Sequence, residues 1–576
     1  LIMKKKSFVF SLASSLLALT CLSGCSSQEE GIVLKVLNCE DYIGEDEFDF
    51  VDEDGNEHAY DDVLTGFEEY ESAKLGKPVT VVYDTYDTNE TMLSSLKTGK
   101  STYDLIVASD YTVQKMMMMG MLQKIDLDRV PQYRDNVSPY LKTQLDQIKA
   151  EVNGSEESVG DYSLGYMWGT LGILYNPAKV ASDKGMEEEE VKGAMNHWDS
   201  LWDPRFKGEM SVKDSMRDTY SVGIMELFEE EIIADMKASN CFDENFNLLE
   251  GKWQEAVDTY NIKLSEIFNR CDEETVSKVK DTLLKLKENI FGFEVDSGKE
   301  DMVKGMIGMN LAWSGDAVFS MDTAEEGRNP IYIYYSVPRT GGNIWFDAWM
   351  MTKDCQGESQ VAAYDFLDFV SNPQVAAANM NTIGYTSFIG GETVLDLVRE
   401  WYDPRFRGDY EETYDEDGDE VADGAVIDGQ KVSWSILAED NEWSVVDLSY
   451  VFNPSSYLPA SPMDTPLNNP CLFYTDELEE VPDGDTTCLA GRQFYAQYPP
   501  QELIPKLAIM KDYGENNRYV LAMWQDVKSN NLPLAGVIVF AVILLAASAF
   551  IVGGIVVKRR YHKLRVARRK EHVKNS

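Results

Sequence analysis

Apolar positions along this chain fall into two long uninterrupted stretches and, between them, a series of short runs. The first long stretch is 8–22, close behind the N-terminus. The second, 534–557, is about 24 residues without a charge, or about 36 Å of helix at ~1.5 Å per residue, enough to cross a hydrocarbon core of ~30 Å. The short runs at 32–37, 78–83, 104–108 and 170–175 read as strands. Helical spacing takes over at 61–75 and at 89–98, the latter with Thr88 or Asn89 as its cap. Strands alternating with helices predict α/β lobes with mostly parallel sheets. Ligands of such sheets sit at the carboxyl ends of the strands, so the segments after Leu37 and Ala108 are the places to look.

The flanks of the two long stretches give them different roles. Lys4, Lys5 and Lys6 precede the first, and small residues close it before Cys25. That layout predicts a secretory signal peptide over 1–24, too short and wrongly flanked for a stable span. The box Leu22-Ser23-Gly24-Cys25 resembles that of bacterial lipoproteins, whose cysteine becomes the lipidated N-terminus. Cys25 is then the lipidation site and 25–30 a tether; a signal peptide without lipidation is the alternative. The second stretch runs into Lys558, Arg559, Arg560, Lys563 and further basic residues, the mark of a cytoplasmic flank. The expected topology is a C-terminal transmembrane helix at 534–557 and a basic cytoplasmic tail at 558–576. Everything between leader and helix lies on the extracellular or periplasmic face of a bacterial cytoplasmic membrane.

Composition narrows the function. Asp and Glu number 99 against 52 Lys and Arg, for a formal net charge of −47. Such a surface repels nucleic acid and permits a cationic ligand, although its first effect is solubility. Of the 4 histidines, His562 and His572 lie in the tail, leaving His58 and His197. A Ser-His-Asp hydrolase or a His-rich metal site lacks material. Cys39, Cys241, Cys271, Cys355, Cys471 and Cys488 have no C-x-x-C spacing and do not read as a zinc site. Pairing of Cys471 with Cys488, or of Cys241 with Cys271, stays open in an oxidising exterior. Two acidic pieces, 45–62 and 409–430, lack the alternating acids of a calcium loop and read as Asp-Gly hairpin tips. Asp-Pro-Arg-Phe occurs at 203–206 and 403–406, but nothing around it repeats, so it is a shared turn or a coincidence.

An ordered series of motifs carries a resemblance. Leu37-Asn38-Cys39-Glu40-Asp41-Tyr42-Ile43 is followed by Thr85-Tyr86-Asp87-Thr88-Asn89 and by Ala108-Ser109-Asp110-Tyr111. Then come Tyr166-Met167-Trp168-Gly169-Thr170, Trp198-Asp199-Ser200-Leu201-Trp202 and Asp214-Ser215-Met216-Arg217-Asp218. Leu311-Ala312-Trp313-Ser314-Gly315-Asp316, Asn343-Ile344-Trp345-Phe346-Asp347 and Ile383-Gly384-Tyr385-Thr386 complete it. In order and spacing the chain resembles the spermidine/putrescine-binding receptors of polyamine ABC importers, over 32–389 and again over 447–528. The resemblance implies a two-lobed periplasmic-binding-protein-like α/β fold of type II that closes on its ligand. One lobe would hold 31–165 and 345–390. The other would hold 166–344 and 391–529, with an acidic insertion at about 409–446. It implies a binding protein rather than an enzyme, with no cofactor and no metal. Its partners would be a polyamine, an ABC permease with its ATPase, and the membrane, but no nucleic acid.

The chemistry of the matching residues fits this independently. Polyamine amines are protonated at neutral pH, with pKa values of about 10 like lysine, and their linkers are apolar. A site for them needs carboxylates at intervals with aromatic faces between. By resemblance Asp347 and Asp218 are the anchors. Trp313, Trp345, Tyr111, Tyr42 and Tyr385 form an aromatic box, and Ser109 and Glu40 add polar contacts. Blander roles stand beside these: Trp313 as core, Asp218 as the cap of a helix starting near Thr219, Asp316 as another cap. Asp347 and Trp345 are two apart on a strand and share a face. The chain also departs from the family pattern. Cys39 stands where a tryptophan is usual, Glu40 where a threonine is, Ser215 in place of an amine-contacting aspartate, and Met510 near an expected glutamine. Preference among putrescine, spermidine and spermine is therefore open. Competing readings are a same-fold receptor for an amino acid, a metal chelate or a thiamin-like cation, and a surface hydrolase using paired carboxylates.

Overall fold

The computed structural model describes residues 31–402 apart from 53, 100, 101 and 326–330, then 411–413, 424–427, 430–433, 451–452 and 489–529. The leader, Cys25, the apolar stretch 534–557 and the basic tail lie outside the described residues. Among the described residues no helix is long and apolar enough to cross a membrane.

The N-terminal half builds as its pattern dictates. Strand β1 (Ile32–Cys39) alternates buried and exposed positions before turning fully inward. Helix α1 (Val63–Leu75) begins where the Asp62 carboxylate accepts the Thr65 amide and ends on Gly76, which takes the left-handed conformation. Strand β2 (Val79–Tyr86) lies parallel to β1, with Cys39 level with Tyr86. Helix α2 (Asn89–Lys97) opens on a capping box between Thr88 and Thr91. Strand β3 (Leu105–Ser109) runs straight into α3 (Asp110–Met118). The acidic piece after β1 is a hairpin, Phe48–Val51 against Glu57–Tyr60, whose tip is closed by Asp52 accepting the Asn56 amide at 2.8 Å.

Two strands join the halves of the molecule. Strand β4 (Ser163–Tyr175) is buried along its whole length and starts earlier than the expected 170. Beyond it come β5 (Met210–Lys213), α4 (Met216–Leu227), β6 (Gly292–Glu294), β7 (Met309–Trp313) and α5 (Ser314–Glu325). The second joining strand is β8 (Gly342–Met351). The main sheet path runs β6-β5-β7-β4-β8-β3-β1-β2. The first part of β4 pairs antiparallel with β8, and from Leu171 it pairs with β7 instead. β8 continues onto β3, so Asp347 stands opposite Ser109, while its pairing with β4 shifts register between Asp347 and Ala348.

Two separate hydrophobic clusters flank these strands. One centres on β1, β3 and the Asp347 half of β8 and takes in Met302, Ala312, Ala317, Met321 and Tyr335; the other gathers most of the buried apolar residues from Leu171 to Leu311 together with Tyr334 and the segment from Ala508. Described residues of the stretch 391–529 enter both clusters. Val394, Val398, Phe494, Tyr498 and Leu503 pack into the first core, whereas Met510, Val520, Met523 and Val527 pack into the second. The reason is local: the helix Glu392–Tyr402 follows directly on Ile389, which is already in the first core, and its apolar face stays there.

Candidate functional site

A cavity of about 170 Å³ opens between the two cores. All nine residues singled out from sequence line it: Glu40, Tyr42, Ser109, Tyr111, Asp218, Trp313, Trp345, Asp347 and Tyr385. They arrive at element ends. Glu40 and Tyr42 follow β1, Ser109 closes β3, Trp313 closes β7, and Tyr385 precedes the short pairing of Thr386–Ser387 with β4. Asp218 sits in the first turn of α4, whose cap is Ser215 rather than Asp218 itself. Two glycines make the rings fit. A Cβ at Gly169 would meet the Trp345 ring at 2.7 Å and the Ser314 hydroxyl at 2.3 Å, and one at Gly315 would meet the Tyr385 ring at 2.4 Å.

Asp347 is the best-organised group of the cavity. The Tyr42 hydroxyl donates to it at 2.9 Å, and Ser109 donates as well. Burial, against these hydrogen bonds and with the Asp218 charge nearby, pushes its carboxyl up to about 6. Asp218 is likewise raised by burial, against a hydrogen bond from Ser215, the charge of nearby Lys213 and a hydrogen bond from the Trp313 side chain. Among the described residues neither carboxylate has an ion-pair partner. Both line the cavity; Asp218 has only the charge of Lys213, out of ion-pair contact, to offset its desolvation, and Asp347 has no cation of the described chain beside it.

The aromatic groups fall into two sets. Tyr42 meets Tyr385 edge-on at 5.3 Å, and Tyr385 meets Trp345 at 5.6 Å, forming one continuous wall. The other two rings already carry cations of the chain. Arg217 lies 4.3 Å from the Tyr111 ring and 3.7 Å from Tyr513, and Lys213 lies 4.2 Å from the Trp313 ring.

Sequence reasoning missed several residues here. Asn89 links Ser109, Tyr111 and Tyr86: it donates to the Ser109 hydroxyl at 3.0 Å and to the Tyr111 hydroxyl at 3.1 Å, and accepts from Tyr86 at 3.1 Å. It lies inside the motif Thr85–Asn89, so a signal existed. Lys213 is buried and bonded to Asp316 at 2.8 Å, with Glu294 at 3.2 Å. Burial works against its charge, but the two carboxylates override it and hold the ammonium above the ordinary lysine value. Asp316, read as a cap, is thus an ion-pair partner. Nothing in the sequence separates Lys213 from a surface lysine. Cys39, where the family pattern has an aromatic, has its thiol pushed up to about 12, chiefly by burial. Cys241 and Cys271 are free thiols, while Cys471 and Cys488 lie outside the described residues.

Comparison with known proteins agrees with this architecture. The family of bacterial extracellular solute-binding proteins matches residues 66–392. A spermidine/putrescine-binding periplasmic protein of Escherichia coli K12 is 25% identical over 308 residues, 53% of this chain and 70% of that protein. A putrescine-binding periplasmic protein of Pseudomonas aeruginosa is 25% identical over 390 residues, 67% of this chain and 86% of that one. A solved ABC transporter structure from Listeria monocytogenes superimposes with a TM-score of 0.50 over 86% of this chain and 98% of its own, at 18% identity, a likeness of fold.

Proposed function

The chain belongs to the bacterial extracellular solute-binding proteins, and from that premise we propose that it is the polyamine receptor of an ABC importer. The carrying observation is that two carboxylates, Asp347 and Asp218, have no ion-pair partner among the described residues and line a cavity walled by Tyr42, Tyr385 and Trp345. Each ammonium of the ligand meets a carboxylate, and the aliphatic linker lies along the rings. A cation over a ring gains ~0.5–2 kcal/mol. Relatives named for spermidine and putrescine binding support the same class. The role is capture and delivery to a permease with its ATPase, not turnover.

The receptor works on the outer face of the cytoplasmic membrane. Cys25 carries its lipid, 534–557 spans the bilayer, and 558–576 is cytoplasmic. Held at both ends, the binding unit stays at high effective concentration beside its permease.

Calorimetric titration of the purified protein with putrescine, spermidine and spermine, with arginine as control, tests this reading. The expected result is micromolar binding, about 8 kcal/mol, confined to the polyamines. Equal binding of arginine, or no binding of any polyamine by folded protein, sinks it.

A further inference from the structure

Lys213 is the fully buried cation of the cavity lining, and the proposed function leaves it unused. It ends β5, and its side chain is 0% exposed. All three of its N–H bonds are satisfied: Asp316 Oδ2 at 2.8 Å, the Val295 carbonyl at 3.0 Å and Glu294 Oε1 at 3.2 Å. The Trp313 ring lies 4.2 Å from the same nitrogen. Two carboxylates, a carbonyl and an aromatic face are the parts of an ammonium subsite. The acceptors are themselves committed. Asp316 Oδ1 takes the Tyr385 hydroxyl at 2.8 Å, and the Glu294 carboxylate also takes Asn310 at 3.1 Å and the Gly298 amide at 2.8 Å.

We infer that Lys213 is a built-in ammonium filling one end of the polyamine site, so that the cavity selects a short α,ω-diammonium ligand over triamines and tetramines. This rests on the polyamine reading and names the member of the class. A third ammonium inside the cavity would have to displace Lys213, stranding a buried charge, or lie without a carboxylate. Of the other acids lining the cavity, Glu40, Asp41, Asp87, Glu90 and Asp296 are exposed, where ion pairs contribute little, Asp214 is paired with Lys528, and buried Asp110 has its two oxygens taken by the Tyr111 and Phe346 amides. Because its charge is matched by two acids, Lys213 also offers no attraction to a ligand carboxylate.

The test is titration of the full-length protein with 1,4-diaminobutane, spermidine and spermine, before and after Lys213→Ala. Wild type binds the diamine at least about tenfold more tightly than the longer amines, and the substitution shifts the spermidine-to-diamine affinity ratio at least about tenfold toward spermidine, about 1.4 kcal/mol. An unchanged ratio with diamine binding retained, or a wild-type preference for spermine, overturns the inference. If the alanine variant does not fold, Lys213→Ala with Glu294→Gln removes the excess charge and the same ratio is read. A second readout is thermal: n-butylammonium, which replaces the missing side chain, raises the melting temperature of the alanine variant and not of wild type. Equal shifts in both count against the inference. Wild type that binds none of the three amines is a different result and removes the polyamine reading itself.

Discussion

Asp347 and Asp316 line the same cavity, and each accepts a hydrogen bond from a tyrosine hydroxyl, Tyr42 at 2.9 Å and Tyr385 at 2.8 Å. They differ in what else they meet. Asp316 holds Lys213 at 2.8 Å, so the chain has supplied its cation. Asp347 meets only neutral donors and the field of Asp218, and its carboxyl is raised to about 6. A tyrosine–carboxylate pair is therefore not by itself a ligand site. What opens one is the missing cation, because a desolvated carboxylate without a counter-charge gains most from an incoming ammonium. The same distinction sorts the rings: Trp313 and Tyr111 carry Lys213 and Arg217, while Tyr42, Tyr385 and Trp345 have no cation of the chain against them among the described residues.

The largest expected effect comes from neutralising the open member of the pair. Asp347→Asn should cost about 3–5 kcal/mol of ligand binding, a loss of roughly a hundredfold or more, with circular dichroism unchanged. Affinity within threefold of wild type would remove Asp347 as the anchor.

Acid should act in the same direction and more gently. Because Asp347 is raised rather than depressed, its ionisation costs the free protein. Its contribution to folding is greatest below its unfolded value and declines as pH rises through about 6. An ammonium ligand needs the ionised form, so affinity should fall roughly tenfold between pH 7.5 and 5, with proton release on binding near pH 6. Calorimetry in buffers of different ionisation enthalpy measures both, and a flat profile would place the ligand away from Asp347.

A smaller change should follow from adding an acid where the family pattern has one. Ser215 caps α4, accepting the Asp218 amide at 3.4 Å, and lines the cavity. Aspartate caps as well as serine, so Ser215→Asp should keep the fold and raise triamine affinity roughly threefold, through a charge near the surface. Unchanged triamine affinity would show that position 215 lies beyond the ligand's reach. At the bottom of the scale, Asp62→Ala removes the α1 cap far from the cavity. It should cost about 1 kcal/mol of stability in denaturant melts and leave affinity untouched; an affinity change would mean that the cavity is coupled to α1.

The sequence by itself determined the strand-and-helix order, the capping of α2, and the segments that reach the cavity, since ligand groups in α/β sheets cluster after strand ends. Glu40, Tyr42, Ser109 and Tyr111 were legible for that reason, and Trp313, Trp345 and Asp347 through their motifs. The tertiary structure alone decided which of the charges were already matched. Lys213 and Asp316 are 103 positions apart, and a lysine ending a short strand has the same local pattern whether it points to water or to two buried acids. The entry of described residues of 391–529 into both cores has the same cause: periodicity shows that a helix has an apolar face, but not which core that face covers.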